Sequence, residues 1–208
     1  MDIQFYGANC VTITGKQVRI TVDDNLADLG AKSVTRQGDI VLYTSAHGDP
    51  AHDPKILIDQ PGEYEVTGVS IFGIAARAHI DEEKQMTATI YKVVVDDLTV
   101  LFTGHIYPDL SDTQLEAIGM VDVLVIPVGG NGFTLDGIGA LKLIKKIEPK
   151  MVIPTHYADD TLQFVVPQQT LEEALKALAM EPKETVTKLR VKPAELTDVA
   201  QLVVLERA

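Results

Sequence analysis

The chain lacks several features that would assign it to a class at once. No apolar run of about 18 residues occurs in its 208 positions, which excludes a membrane-crossing helix. Cysteine appears once, at Cys10, so no internal disulfide can form, as suits a reducing compartment. The opening Met1-Asp2-Ile3-Gln4-Phe5-Tyr6-Gly7 has neither the basic start nor the apolar core of a secretion signal, and the expected location is the cytoplasm. Positive charge is scarce. Eighteen Lys and Arg stand against 30 Asp and Glu, a formal charge of −12 spread without an acidic block. Nucleic-acid binders draw most of their non-specific affinity from a basic face, so that partner is not expected. The densest basic stretches, Lys142 to Lys146 and Lys188 to Lys192, read as the solvated sides of a helix and a strand. Repeats, low-complexity segments and long linkers are also missing. With 46% apolar content, the expectation is one domain over residues 1–208.

What is present begins with strands. Up to about residue 104 the chain is a series of short β-branched runs: Val11-Thr12-Ile13, Val18 to Val22, Ile40 to Tyr43, Ile56 to Ile58, Tyr64 to Val66, Val69 to Ile71, Thr87 to Val95 and Leu98 to Phe102. Turns such as Pro61-Gly62 and Asp96-Asp97 separate them, and Gly15-Lys16 closes a hairpin between the first two. Helices and strands then alternate. Ser111 and Gln114 form a capping-box pattern ahead of Leu115 and Ile118. Asp136 caps a helix in which Leu141, Ile144 and Ile147 share a face, before Pro149 stops it. Thr170 opens another helix, bearing Leu175 and Leu178, and Val121 to Pro127, Met151 to Pro154 and Leu202 to Leu205 read as buried strands.

Specific blocks carry the reading further. Thr44-Ser45-Ala46-His47-Gly48-Asp49-Pro50 resembles the Thr/Ser-His-x-His-x-Asp-His loop of the metallo-β-lactamase superfamily. Pro61-Gly62-Glu63-Tyr64-Glu65-Val66, Val121-Asp122-Val123-Leu124-Val125-Ile126-Pro127-Val128-Gly129-Gly130, Thr134-Leu135-Asp136 and Pro154-Thr155-His156-Tyr157 are similar to blocks of its bacterial lactonase-like branch, which includes the L-ascorbate-6-phosphate lactonases. The resemblance spans nearly the whole chain. It implies an α/β (α+β) fold, a four-layer αββα sandwich with the site at one edge.

The resemblance also implies a ligand set, and this chain departs from it. His47 and Asp49 match the second His and the Asp of the loop, while Ser45 and Pro50 stand where two histidines belong. His79 and His156 match later ligands. His105 occupies the place of an Asp that bridges two metals in the family, and Gly7-Ala8-Asn9-Cys10 replaces a Gly-His-Ser motif. Only His52 lies off the pattern. The expected metal ligands are therefore His47, Asp49, His79, His105 and His156, holding one divalent transition metal ion (zinc before iron, manganese or nickel) or none. Without the bridging carboxylate, two dications lose the anion that offsets their repulsion.

Two functional expectations follow. In the first, a divergent hydrolase acts on a small ester, lactone or phosphorylated metabolite through one metal-activated water, with Asp49 as the alternative general base. In the second, a catalytically inactive member serves as a small-molecule-binding or protein-interaction module. Gly129-Gly130-Asn131-Gly132 reads as a turn or a phosphate cradle without a cationic partner, Asp136 as a helix cap, and Asp23-Asp24 as structural.

Overall fold

Short β-branched runs satisfy their backbone groups only by pairing, and the computed structural model, which describes residues 1–208, pairs them into two sheets. The first contains β1 (Asp2–Gly7), β2 (Cys10–Thr14), β3 (Arg19–Val22), β4 (Ile40–Leu42), β5 (Ile56–Ile58) and the late strand β13 (Leu189–Arg190). Its order is β13-β1-β2-β3-β4-β5. The pairings from β13 to β3 are antiparallel, and those of β3 with β4 and β4 with β5 are parallel.

The second sheet contains β6 (Gly62–Val66), β7 (Val69–Ala76), β8 (Ala88–Val95), β9 (Leu98–Phe102), β10 (Val123–Pro127), β11 (Met151–Thr155), β12 (Pro182–Val186) and β14 (Gln201–Leu205), in the order β12-β14-β11-β10-β9-β8-β7-β6. An antiparallel meander through β9 passes into parallel pairing from β9 to β12.

The period of two along each strand divides the core. Ile3, Phe5, Val11, Ile13, Ile20 and Val22 meet Tyr91, Val93, Val100, Val123, Ile153 and Val203 between the sheets. The alternate residues of the second sheet, among them Leu101, Leu124, Ile126, Val152 and Leu202, pack under the helices. Those helices are α1 (Asp112–Ile118), α2 (Gly137–Ile147) and α3 (Leu171–Leu178). Their starts are the expected caps: Ser111 with Gln114 and Thr170 with Glu173 form reciprocal boxes, and Asp136 accepts from the Gly139 amide at 2.7 Å.

The sandwich is therefore the expected one, with unequal outer layers. Its three α-helices belong to the helix-side core of the second sheet, while outside the first a small cluster of Cys10, Leu26, Leu29 and Leu162 is covered by the 3-10 turn Leu26–Leu29. One helix face differs from the sequence reading. Leu143 is fully buried with Ile144 and Ile147, and Leu141 is only half-buried, because α2 packs against α3 as well as the sheet. The basic stretches are partly paired: Lys142 and Lys146 reach Asp109, and Lys188 and Arg190 reach Asp2. No helix is long and apolar enough to cross a membrane.

Candidate active site

In a parallel sheet the loops leaving the carboxyl ends of the strands converge on one edge, where ligands bind in open α/β sheets. Asp23 follows β3, Thr44 and His47 follow β4, His105 follows β9, Gly129 follows β10 and His156 follows β11. The chain makes these exits with strained backbone. Asp23 and His156 have φ of 48° and 55°, in the left-handed region that non-glycine residues avoid, and Ala8, whose carbonyl accepts from the His156 amide, has φ of 48°. Such strain persists only where the surroundings over-determine it, and it concentrates at functional sites.

Two glycines allow the close approaches. A Cβ on Gly104 would lie 2.2 Å from Thr44 Oγ1, and one on Gly129 would lie 2.1 Å from both the His156 carbonyl oxygen and Gln168 Oε1.

On the first-sheet side the hub is Asp23, which is buried. Its Oδ1 accepts from the Thr44 amide at 2.7 Å, and its Oδ2 accepts from Thr44 Oγ1 at 2.6 Å and Asn9 Nδ2 at 2.8 Å. Asn9 in turn accepts from Thr155 Oγ1 at 2.6 Å, linking β11 to the network. His47 Nε2 stands 3.4 Å from Asp23 Oδ1, inside charge range, yet the nitrogen is buried with no hydrogen-bond partner. Burial alone would push the His47 pKa down; the Asp23 carboxylate outweighs it and the value is raised. Burial acts on Asp23 in the opposite sense, and His47 and Thr44 outweigh it to leave that carboxyl lowered.

The second-sheet side is sparser. The His105 and His156 rings meet edge to face, with centroids 4.5 Å apart. Gln168 Nε2 donates to the Val166 carbonyl at 2.9 Å, which turns its Oε1 towards His156 Nδ1 at 3.1 Å. The His156 proton therefore sits on Nδ1, and Nε2 keeps a free lone pair. Burial, partly offset by the Gln168 bond, lowers the His156 pKa. Burial and the neighbouring His156 push His105 down to about 3. Both rings line a cavity of about 230 Å³, together with Asn25, Thr134, Phe164 and Gln168.

The structure brings four of the five expected ligands to this edge and separates the fifth. The His79 amide donates to the His105 carbonyl at 2.7 Å, and its Nδ1 lies 3.4 Å from the Ile106 carbonyl. Asp49 is exposed and lines a different, acidic cavity with Asp24, Asp28 and His47, because the loop after His47 runs away from the His105–His156 pair. His52 is exposed. A zinc site needs three or four donors around one point, and no three His, Cys, Asp or Glu side chains converge in that way. The imidazoles have the right chemistry without the convergence. As placed, the residues do not fit a bound metal ion, and no catalytic step is assigned to one.

Sequence reasoning did not single out Gln168 or the buried Thr134 hydroxyl as parts of the site. Neither belongs to a recognisable local motif, and only the fold brings Gln168 to His156. Asn9 was legible only as an altered motif, and Asp23 as a structural residue.

Among curated proteins, the chain is 25% identical to a metal-dependent hydrolase of the UPF0173 group from Thermococcus onnurineus, over 76% of this chain and 84% of that one. It is also 25% identical to a metal-dependent hydrolase from Thermus thermophilus, over 88% of this chain and 97% of its relative. Among solved structures, a Thermotoga maritima protein described as a Zn-dependent hydrolase of the metallo-β-lactamase superfamily superposes with a TM-score of 0.77 at 23% identity. That match covers 99% of this chain and 98% of the other, and it establishes the fold. The model of the β-lactamase superfamily domain matches residues 2–156, and the chain belongs to that family.

Proposed function

We propose that this chain hydrolyses a small ester, lactone or phosphorylated metabolite in the cavity walled by His105 and His156. The observation that carries the reading is the fixed tautomer of His156. Gln168 holds the Nδ1 proton, so the Nε2 lone pair is available on a neutral imidazole that lines the cavity. A positioned imidazole of this kind accepts a proton from attacking water as a general base. His105, also kept neutral by its surroundings, leaves the cavity wall without a fixed positive charge. Support also comes from the names of the relatives, which are metal-dependent hydrolases, and from the placement of the pair beyond the carboxyl ends of β9 and β11.

A second reading, binding without turnover, is favoured by Ser45 and Pro50 at ligand positions and by the absence of three converging donors. One experiment separates the two. Metal content is measured by plasma mass spectrometry on protein purified without chelators or nickel, alongside turnover of a lactone and phosphoester panel, for wild type, His105→Ala and His156→Ala. Turnover lost in His156→Ala supports the hydrolase. A stoichiometric ion lost in His105→Ala would show that binding a metal draws the separated donors together. No turnover, with or without added zinc, manganese or iron, leaves the binding reading.

A further inference from the structure

We propose that the ligand of the His105–His156 cavity is an uncharged lactone or ester with an apolar arm, not a phosphorylated one, and that the Thr134 hydroxyl donates to its carbonyl oxygen. This narrows the substrate class of the hydrolase reading and rests on the same cavity.

Three independent observations point the same way. The first is the lining. Leu29, Phe133, Phe164, Val165 and Val166 make half of the wall, and Phe133 and Val165 are 53% and 95% exposed at its rim. Apolar side chains gathered at the mouth of a cavity favour a ligand that covers them.

The second is charge. No Lys or Arg lines the cavity, the buried Asp23 carboxylate lies near its imidazoles, and the whole chain carries −12. A phosphate entering would lose its hydration without gaining a cation. The glycine loop does not supply a substitute. The Gly130 amide already donates to the Leu135 carbonyl at 2.9 Å, and the Gly129 carbonyl accepts from the Gln169 amide at 2.8 Å. Gly129 serves instead to let Gln168 and His156 approach.

The third is Thr134. It is 1% exposed, lines the cavity, and its Oγ1 has no hydrogen-bond partner. A buried hydroxyl left unpaired is costly, and a ligand carbonyl oxygen would satisfy it.

The test is a titration of the full chain, followed by ligand-observed NMR. One probe is a γ-lactone with a butyl chain, the other the same lactone with a phosphate at the chain end. The neutral lactone is expected to bind at least about tenfold more tightly than its phosphorylated counterpart. Thr134→Val is expected to weaken the neutral lactone by about fivefold, the loss of one hydrogen bond. The same substitution should raise the Tm of the free protein, because it removes an unpaired buried hydroxyl of nearly the same shape. Equal or tighter binding of the phosphorylated lactone overturns the proposal, as does failure of the neutral one to bind. A fall in Tm on Thr134→Val would show that the hydroxyl serves the fold and overturn its assignment to the ligand. The wild-type comparison stands even if that variant does not fold. Binding without ring opening in the same spectra would uphold the proposal while overturning hydrolysis.

Discussion

His47, beyond the first sheet, and the His105–His156 pair, beyond the second, flank one site under opposite electrostatic conditions. His47 sits against a carboxylate whose oxygens already hold Thr44 and Asn9, so its charged form is favoured. His105 and His156 face each other and an apolar wall, so their neutral forms are favoured. The first side is a structural joint built from hydrogen bonds. The second is a surface with lone pairs to spare. Residue type does not distinguish them; the presence of Asp23 on one side and Phe164 on the other does.

The largest break in this contrast is Asp23→Ala. It strips a buried hub of three hydrogen bonds and leaves Asn9 and the Thr44 amide unpaired. The cost should be about 3 kcal/mol, read as a fall in the urea midpoint. An unchanged midpoint would show that the joint is not structural. Gly104→Ala comes next. It combines a φ of 59° with a Cβ pressed against Thr44, whose carbonyl also accepts from the Thr89 amide of the second sheet. A loss of about 2 kcal/mol is expected in the same assay, and a neutral result would mean that the joint shifts freely.

The smallest effect sharpens the contrast without breaking it. Imidazole proton NMR should show His47 titrating above its ordinary value of 6.5, and His105 and His156 below it. The linked stability has two signs. The His47 contribution is complete below that value and is lost as pH rises through its raised folded pKa. The contribution of the neutral pair is present above that value and is lost as pH falls, because the unfolded chain takes up protons that the folded one refuses. Gln168→Leu should move His156 further down and leave His47 in place, since the Gln168 bond opposes desolvation only at His156. A coincident shift in both would show that the two sides are coupled.

Much of the fold was legible because its signals are local. Ser111 with Gln114, Asp136 and Thr170 with Glu173 announce helix starts through groups that satisfy amides one turn away. β12 was not legible. Its Pro182-Lys183-Glu184-Thr185-Val186 has no apolar alternation, and it becomes a strand only because β14 offers its backbone groups for pairing. The choice of Leu143 over Leu141 depended on where α3 lies, which no local periodicity contains.

At the site, motif spacing brought His47, His79, His105 and His156 to one edge. Spacing could not show that Asp49 faces another cavity, because a loop's direction after its last anchored residue is set by tertiary contacts. Nor could it show Gln168 fixing the His156 tautomer across a fold of several elements.

The pairing of the chain's two ends carries a kinetic consequence. Ile3 of β1 lies opposite Leu189 of β13, and β14 sits between β11 and β12 rather than at an edge. Closing so long a loop adds little thermodynamic cost, about 0.6 kcal/mol for each doubling of its length. It weighs heavily on rate, because non-local pairing must be reached by search. Until Gln201–Leu205 arrives, β11 lacks one neighbour, and the segment that carries His156 hangs from a half-paired strand. A chain emerging from the ribosome thus acquires its earliest strands first and its binding pocket last.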